Sequence, residues 1–375
     1  MMLNDKHGRL LWIPLLLAVA FLLAVGLIAL ASTTYWSEAG SYKDLIKQSC
    51  GIGIGVVIAW IFSRLPQGLF FFKRGLLLWF AYIGVVALLV WCFTFDPING
   101  ERRWVQIPGI GSFQPSEIAK SVLMLVLANY AFLYQDRLKE FKTGYIGTHI
   151  IMGIIVLLIF FETDMGTAMS LGIASLIMLN VAGVRLWHIM ISVIFGVTGL
   201  AVGIRLDPGR FNRIMAFLDL EAHRQGSGYQ QYKALEAFQS GRIFGTGLGQ
   251  GTEKHQVPFA HTDFIYSAIA EEMGMVMSLS ILLAYAVIAV VGIFIALGAK
   301  DIFNRSLAVG LTAVIVVPAF INIGVVTASL PNTGLPLPLI SYGGTNLVLT
   351  LAAVGLLMNV FRHTSYFSRR SLRNK

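Results

Sequence analysis

Apolar residues occur along this chain in long runs that short polar stretches separate. Most runs are close to the roughly 17–25 residues that an α-helix needs to cross a ~30 Å hydrocarbon core. Apolar runs of this length indicate transmembrane helices rather than helices of a soluble domain. The pattern predicts ten helices, over residues 10–32, 48–63, 74–95, 117–134, 146–162, 166–184, 187–204, 264–298, 306–328 and 343–361.

Lysine and arginine predict the orientation of these helices. With the N-terminus inside, the cytoplasmic segments hold most of the 28 basic residues, and an even number of helices returns the C-terminus to the same side. Most of the basic residues predicted to lie outside are between Arg205 and Lys254. They belong to a long outer segment, and the positive-inside rule applies poorly to long segments. We therefore predict an all-α polytopic membrane protein with both termini cytoplasmic.

Composition excludes a soluble globular protein. Hydrophobic residues make up 56% of the chain and charged residues 13%, with a mean hydropathy of +0.74. Soluble domains hold about 25% charged residues. The net charge of +9 fits membrane orientation and contact with anionic lipid, rather than a nucleic-acid partner.

One polar segment interrupts the pattern: residues 206–262, a large extracytoplasmic loop between predicted helices 7 and 8. A recurrence of aromatic and apolar residues from Tyr229 to Phe238 predicts a short helix on the membrane surface there. Alternating glycines from Gly245 to Gly251 indicate tight or flexible backbone and lack the spacing of a dinucleotide site. The chain is otherwise one membrane domain over residues 1–375, with a basic cytoplasmic tail at 362–375.

Asp263 stands where the long loop meets predicted helix 8. A carboxylate there can simply cap the helix, because unpaired amides of the first turn favour negative charge. Pro258, His261 and Thr262 precede it, and aromatic neighbours limit water. A partly desolvated carboxylate binds a proton more readily and can serve as a general base. Residue types alone leave both interpretations open.

Two pairs of charged residues lie within predicted helices. Glu117 and Lys120 are spaced i, i+3 and share one helix face, while Glu271 and Glu272 lie two turns beyond Asp263. Each such group costs about 2.5–3.5 kcal/mol in a bilayer even on a mild scale. We therefore expect them to face a cavity or a partner, either as a structural network or as part of a site.

The outer segments also carry cations. Arg102 and Arg103 precede Trp104 and either bind phosphate or are simply solvated, and Arg210 and Arg213 lie in the long loop. The sequence shows no Ser-His-Asp arrangement and no His/Cys metal cluster. One candidate base with several cations suits transfer from a phosphate-type leaving group to a hydroxyl, because that leaving group needs positive charge rather than a proton.

Five motifs occur in order: NGERRW (99–104), FQPSEIAK (113–120), GSGYQ (226–230), AHTDFIYSAIAEEMG (260–274) and GLPLPLISYGG (334–344). Together they resemble the signature of the SEDS (shape, elongation, division and sporulation) family of FtsW/RodA-like proteins, over essentially the whole chain. The resemblance implies a ten-helix glycosyltransferase that polymerises lipid II into peptidoglycan at the outer face of the bacterial inner membrane and releases undecaprenyl pyrophosphate. It also implies a class B penicillin-binding protein as partner, among other divisome or elongasome membrane proteins.

By motif, Asp263 corresponds to the family's essential aspartate, Glu117 and Lys120 to its acid and lysine, and Arg103 with Trp104 to its RW element. No cofactor is evident, and a divalent cation such as Mg or Mn is possible. The resulting site hypothesis has Asp263 as catalytic base and Glu117, Lys120, Glu271 and Glu272 as cavity or structural groups. The candidate substrate-binding residues are Arg102, Arg103, Trp104, Arg210, Arg213, His261, Thr262 and Ser341.

The chain departs from the general family pattern at two places, and in the last outer loop it has Asn332-Thr333 where division-type members often show a lysine. Members commonly have Gln-Pro-Asp where this chain has residues 162–164, Glu-Thr-Asp, and Pro-Glu where it has residues 258–259, Pro-Phe. The GLPLP run resembles the elongation branch, whereas GTGLGQG and Lys254 resemble the division branch, towards which we lean. Two other functions stay open: a flippase for lipid-linked precursors, which the buried charges would suit, and a scaffold that activates a penicillin-binding protein.

Overall fold

The structure is a computed structural model that describes residues 10–35, 42–71, 74–95, 103–107, 111–258 and 260–364. Within these ranges, nine helices are long and apolar enough to span a membrane, and a further apolar helix, Leu76–Cys92, has 17 residues. Each of these ten helices coincides with one predicted apolar run. The all-α membrane architecture is therefore confirmed. Arg102 and most of the basic tail lie outside the described residues.

The helices are α1 (Trp12–Tyr35), α2 (Lys43–Arg64), α3 (Gly68–Phe71), α4 (Leu76–Cys92), α5 (Pro115–Leu133), α6 (Thr148–Phe161), α7 (Met165–Ala182), α8 (Leu186–Leu206), α9 (Pro208–Leu218), α10 (Tyr229–Gly241), α11 (Ile265–Gly298), α12 (Ile302–Val326) and α13 (Gly344–Arg362). A π-helical stretch, Phe141–Gly147, precedes α6, and short 3-10 turns occur at Gln135–Arg137 and Glu253–His255. An antiparallel hairpin, β1 (Val105–Ile107) and β2 (Gly111–Phe113), precedes α5.

Local sequence signals fix several helix starts. Pro115 begins α5, where its missing amide and fixed φ fit the first turn. The Asp164 carboxylate caps α7 by accepting from the Thr167 amide at 3.0 Å. Asp301 caps α12 in the same way, through the Asn304 amide at 2.8 Å. The helix boundaries therefore follow from short-range chemistry as well as from apolar length.

Helix α12 lies at the centre of the bundle, packed against α5, α7, α11 and α13, and most of its apolar surface is buried. Helices α2 and α13 form another close pair. Helix α8 is peripheral: it contacts α7 and α9 and exposes most of its apolar side chains, as expected of a helix that faces lipid.

The long outer segment is more ordered than a loop. It holds α9, α10 and the 3-10 turn at Glu253–His255. The helix expected on the membrane surface is α10, but it packs on α11, where the rings of Phe238 and Tyr266 lie 5.7 Å apart. Gln231 also ties it to the end of α12, donating to the Val325 carbonyl at 2.8 Å. The buried face of α10 is that of Gln231, Ala234 and Ala237, whereas the residues of the predicted apolar recurrence are half-buried.

Helix α11 is broken at Gly274, where the sequence predicts one continuous helix over 264–298. Gly274 has φ 74° and ψ −175°, which interrupts the helical hydrogen bonds. Backbone groups of residues 242–247 fill the break. Four hydrogen bonds do so: Thr246 N to Glu271 O (2.9 Å), Gly247 N to Glu272 O (3.0 Å), Met275 N to Arg242 O (2.9 Å) and Val276 N to Ile243 O (3.2 Å).

Glycines permit this close approach of two backbones. A Cβ atom on Gly245 would lie 2.1 Å from the Glu272 carbonyl oxygen, and one on Gly274 would lie 2.4 Å from the Gly245 amide. Neither distance is compatible with a side chain. The expectation that the alternating glycines serve tight backbone packing is therefore confirmed for Gly245.

An apolar groove of about 810 Å³ lies between α1, α2 and α13. Its lining includes Trp12 at the start of α1, Trp60 near the end of α2 and Phe361 near the end of α13. These positions belong to the predicted cytoplasmic half of the bundle. Asp263, at the start of α11, is not part of this groove.

Candidate functional site

Asp263 lies half-buried in the turn that leads into α11. Its backbone carbonyl accepts a 2.6 Å hydrogen bond from the side-chain amide of Asn322, which also donates to the Leu335 carbonyl at 2.6 Å. Its carboxylate faces Gly334, where an added Cβ atom would lie 3.4 Å from Oδ2. Asn322 therefore joins the Asp263 turn to the segment between α12 and α13, and the carboxylate lies beside that segment.

The same segment holds the two residues before Asp263. The Ser341 hydroxyl donates to the Thr262 carbonyl at 2.6 Å and accepts from the Leu337 amide at 2.8 Å. The Tyr342 amide donates to the His261 carbonyl at 3.0 Å. Three sequence-predicted residues, His261, Thr262 and Ser341, are thus brought into one contact group with Asp263.

Gln48 of α2 extends this group. Its side-chain amide donates to the Ser341 carbonyl at 3.1 Å, and its oxygen accepts from the Gly343 amide at 3.3 Å. Gln48 and Asn322 are both almost fully buried, and neither is among the residues predicted from the sequence. The signal that could have found them is a neutral polar side chain inside an apolar run, because such a group is costly unless it is hydrogen-bonded.

Arg103 lies in a second group, centred on Asp164. Its Nη1 is 3.6 Å from Asp164 Oδ2, and the side-chain amide of Gln114 donates to the same oxygen at 2.8 Å. The Asp164 group borders the Asp263 group at Gly166, where an added Cβ atom would lie 2.9 Å from the Thr333 carbonyl oxygen. Trp104 is half-buried beside Arg103 in the chain.

Glu162, next to this group, is a fully buried acidic residue. It lies between α6 and α7 with none of its surface exposed, and neither carboxylate oxygen has a hydrogen-bond partner among the described residues. Burial, followed by the nearby negative charge of Asp164, raises the pKa of Glu162 to about 8. Glu162 is therefore largely protonated at neutral pH.

Glu117 and Lys120 form a buried ion pair on α5, with Nζ and Oε1 2.7 Å apart. The other oxygen of Glu117 accepts from the Asn346 side chain of α13 at 3.0 Å. A small pocket beside the pair is lined by Pro338 and Asn346. The pair is therefore neutralised internally and linked to the start of α13, close to the segment that holds Asp263.

Glu271 and Glu272 both bind the outer segment instead of each other. Glu271 accepts from three consecutive backbone amides, those of residues 252–254, at 2.6 to 2.9 Å. Glu272 pairs with the Lys254 ammonium at 2.5 Å and accepts from the Ser32 hydroxyl at 2.7 Å. These contacts hold the outer segment and α1 against α11.

The two cations of α9 contact other residues. Arg210 lies 3.2 Å from the Asp207 carboxylate and packs on the ring of Phe160, with 5.2 Å between guanidinium and ring centre. Arg213 is exposed on the same helix. Among the described residues, no group of three or more His, Cys, Asp and Glu side chains could hold a metal ion. The divalent cation stays a prediction.

Comparison with known proteins identifies the family. A family model described as cell cycle protein, of the FtsW, RodA and SpoVE type, matches residues 13–366. The chain is 32% identical over 358 residues to a probable peptidoglycan glycosyltransferase FtsW of Coxiella burnetii, which covers 92% of this chain and 94% of that protein. It is 35% identical over 338 residues to stage V sporulation protein E of Bacillus subtilis, covering 82% of this chain and 91% of that protein.

Solved structures share the fold. A chain from a study of how a peptidoglycan synthase complex coordinates polymerization and crosslinking aligns with a TM-score of 0.77 and 27% identity, over 94% of this chain and 97% of that chain. The rod shape determining protein RodA of Thermus thermophilus aligns with a TM-score of 0.68 and 25% identity, over 94% and 96% of the two chains. The protein therefore belongs to the FtsW/RodA/SpoVE family of cell cycle proteins, the SEDS family that its motifs resemble.

Proposed function

We propose that this protein is a peptidoglycan glycosyltransferase that polymerises lipid II into glycan strands. The observation that carries the proposal is the position of Asp263, a half-buried carboxylate held between α11, α12 and the segment before α13. Family membership supports the reaction, since relatives such as the Coxiella burnetii protein are named as probable peptidoglycan glycosyltransferases.

In the proposed reaction, Asp263 accepts the proton of the 4-hydroxyl of an acceptor GlcNAc as that oxygen attacks C1 of a donor MurNAc. The new C1–O bond forms while the bond from C1 to the phosphate oxygen breaks. Undecaprenyl pyrophosphate leaves with the bonding electron pair. A carboxylate on a turn whose backbone is held by hydrogen bonds can act in this way, because general-base catalysis depends first on geometry and then on affinity for the proton.

The pyrophosphate needs cations rather than an acid, because it leaves as an anion. Arg103 is the best supported of the candidate cations, since the Asp164 group in which it lies borders the segment beside Asp263. Arg210 has a weaker case, because its described contacts are with Asp207 and Phe160. Arg102, Arg213 and a divalent ion remain further candidates.

We place the reaction at the extracytoplasmic face of the bacterial inner membrane. The distribution of basic residues supports this orientation, because most of the lysines and arginines lie in short loops and termini at the end of the bundle opposite Asp263. A class B penicillin-binding protein is the proposed partner. The related chain from a complex that combines polymerization with crosslinking supports this partner class. Localisation of a tagged copy in dividing cells tests whether the protein synthesises peptidoglycan at the septum or at the sidewall.

The test is polymerisation of purified lipid II by purified protein. Asp263→Asn retains the size of the side chain and removes its capacity to accept a proton at neutral pH. We expect polymer formation to fall at least about 100-fold, the lower end of general-base effects. Glycan products are separated by gel electrophoresis, and folded yield is checked by size-exclusion chromatography.

The matched control is Asp219→Asn, at an exposed aspartate of the outer segment that caps a turn through the Ala222 amide at 3.1 Å. We expect this variant to polymerise lipid II within about twofold of wild type, as surface substitutions usually have small effects. Normal polymerisation by Asp263→Asn would contradict the mechanism. Translocation of labelled lipid II in vesicles without polymer would indicate the flippase, and neither activity would indicate the scaffold.

A further inference from the structure

Lys254 and Glu272 lie at equal distances in sequence before and after Asp263, and their side chains meet. Lys254 Nζ is 2.5 Å from Glu272 Oε1, and only 1% and 3% of the two side chains are exposed. We call these two residues the closing pair. The backbone between them forms a loop that has Asp263 at its midpoint, and the closing pair joins the two ends of that loop.

Helix α1 anchors the closing pair. The Lys254 ammonium donates to the Ser32 hydroxyl at 2.9 Å, and that hydroxyl donates to Glu272 Oε1 at 2.7 Å. Ser32 belongs to a different part of the chain, near the outer end of α1. The loop around Asp263 is therefore fixed to the helix bundle as well as to itself.

Glu271 holds the backbone at the same point. Its Oε1 accepts from the amides of Thr252 and Glu253 at 2.6 and 2.8 Å, and its Oε2 accepts from the Lys254 amide at 2.9 Å. Hydrogen bonds to a carboxylate are about twice as strong as those between neutral groups. Two consecutive glutamates of α11 thus hold both the main chain and the side chain of Lys254.

We propose that Lys254 is a positioning residue for Asp263, because its bond to Glu272 fixes the arm of residues 254–262 that ends at Asp263. This inference rests on the proposed glycosyl transfer. Closing a loop reduces the conformations open to the residues inside it. A displacement of a reacting group by about 1 Å can lower a rate about 100-fold. Lys254 itself needs no contact with the substrate.

The experiment removes the pair in two ways. Lys254→Met alone leaves Glu272 as an unpaired buried charge, which destabilises the fold. The double variant Lys254→Met with Glu272→Gln leaves no unpaired charge, so it tests positioning in a folded protein. The readouts are kcat and KM for lipid II polymerisation, together with hydrogen exchange of the amides of residues 252–263.

For the double variant we expect near wild-type folded yield, kcat lowered at least about 10-fold, KM within about twofold, and faster amide exchange over residues 252–263. The matched control is Arg224→Met, which removes an exposed ion pair with Glu221 in the same outer segment. We expect it to leave both readouts at wild-type values.

Unchanged exchange over residues 252–263 in the double variant overturns the proposal, whatever its activity. Faster exchange with wild-type kcat also overturns it, because the loop would then open without misplacing Asp263. A wild-type protein that forms no polymer contradicts the proposed function and the role of Lys254 in it. In that case the exchange data still decide whether the closing pair holds the loop, so the two failures are distinguishable.

Discussion

Neutral polar side chains hold the candidate site together at the scale of single residues. Asn322 bonds the carbonyls of Asp263 and Leu335, and Gln48 bonds the backbone on both sides of Tyr342. A buried amide side chain can satisfy several backbone groups without introducing charge. Such residues are therefore well suited to fixing irregular backbone at the end of a helix bundle.

Glu162 gives a residue-scale prediction about pH. Its pKa is about 8 in the folded protein and about 4.5 in an exposed carboxyl, so the folded state binds the proton more tightly. The contribution of Glu162 to stability should be full below about pH 4.5 and be lost as the pH rises to about 8, by on the order of a few kcal/mol. Glu162→Gln should remove this loss, because an amide does not ionise in that range.

The measurement is the thermal midpoint of detergent-solubilised protein between about pH 5 and pH 9. Comparison with Glu162→Gln cancels the contributions of other titrating groups. The difference between the two proteins should grow in favour of the variant as the pH rises. A difference that is constant over the range would show that Glu162 has a partner for its charge.

At this scale, part of the candidate site is predictable from the sequence. Asp263, His261, Thr262 and Ser341 were selected, and the structure brings them into contact. The pairing of Glu117 with Lys120 follows from their i, i+3 spacing. The partner of Glu272 could not be predicted, because Lys254 approaches it only after the outer segment has folded back on α11.

At the scale of secondary structure, the broken helix α11 is the least predictable element. Apolar periodicity continues across Gly274, so a sequence pattern gives no sign of the break. The break depends on residues 242–247, which are remote in sequence and supply the missing hydrogen bonds. By contrast, the ten apolar helices were predictable, because their lengths reflect a local requirement of the bilayer.

The break gives a prediction at Gly274. Alanine there would adopt a φ of 74°, which is costly for residues with a Cβ atom, and that atom would lie 2.4 Å from the Gly245 amide. We expect Gly274→Ala to destabilise the protein by at least about 2 kcal/mol and to lower folded yield. Size-exclusion profiles and thermal midpoints measure both effects.

The control for this change is Gly172→Ala in α7. An added Cβ atom at Gly172 meets nothing within 4 Å, and the residue lies in regular helix. This substitution should be neutral or stabilise the helix by up to about 1 kcal/mol. If the two variants behave alike, the geometry described for Gly274 is wrong.

At the scale of the whole molecule, the segments that connect successive membrane-spanning helices alternate between the two ends of the helix bundle. Gln225 lies in the outer segment between α9 and α10, and Lys139 lies between α5 and α6 at the other end, and both are exposed. With the predicted orientation, only Gln225 faces outwards. The distribution of basic residues carries this prediction.

Cysteine labelling tests the orientation. In a background with Cys50→Ser and Cys92→Ala, the variant Gln225→Cys should react with a membrane-impermeant maleimide in intact spheroplasts. Lys139→Cys should react only after the membrane is permeabilised. The reverse pattern would place Asp263 on the cytoplasmic side and contradict the proposed site of synthesis.

The filled break in α11 also has a consequence for biogenesis. Residues 242–247 precede Gly274, so in the predicted orientation they leave the ribosome and cross the membrane before α11 enters it. Until they dock, the broken helix carries backbone groups that lipid cannot satisfy. Insertion of α11 is thus coupled to prior delivery of the outer segment, and a cell that stalls translocation of that segment should accumulate a partly inserted chain that quality-control proteases degrade.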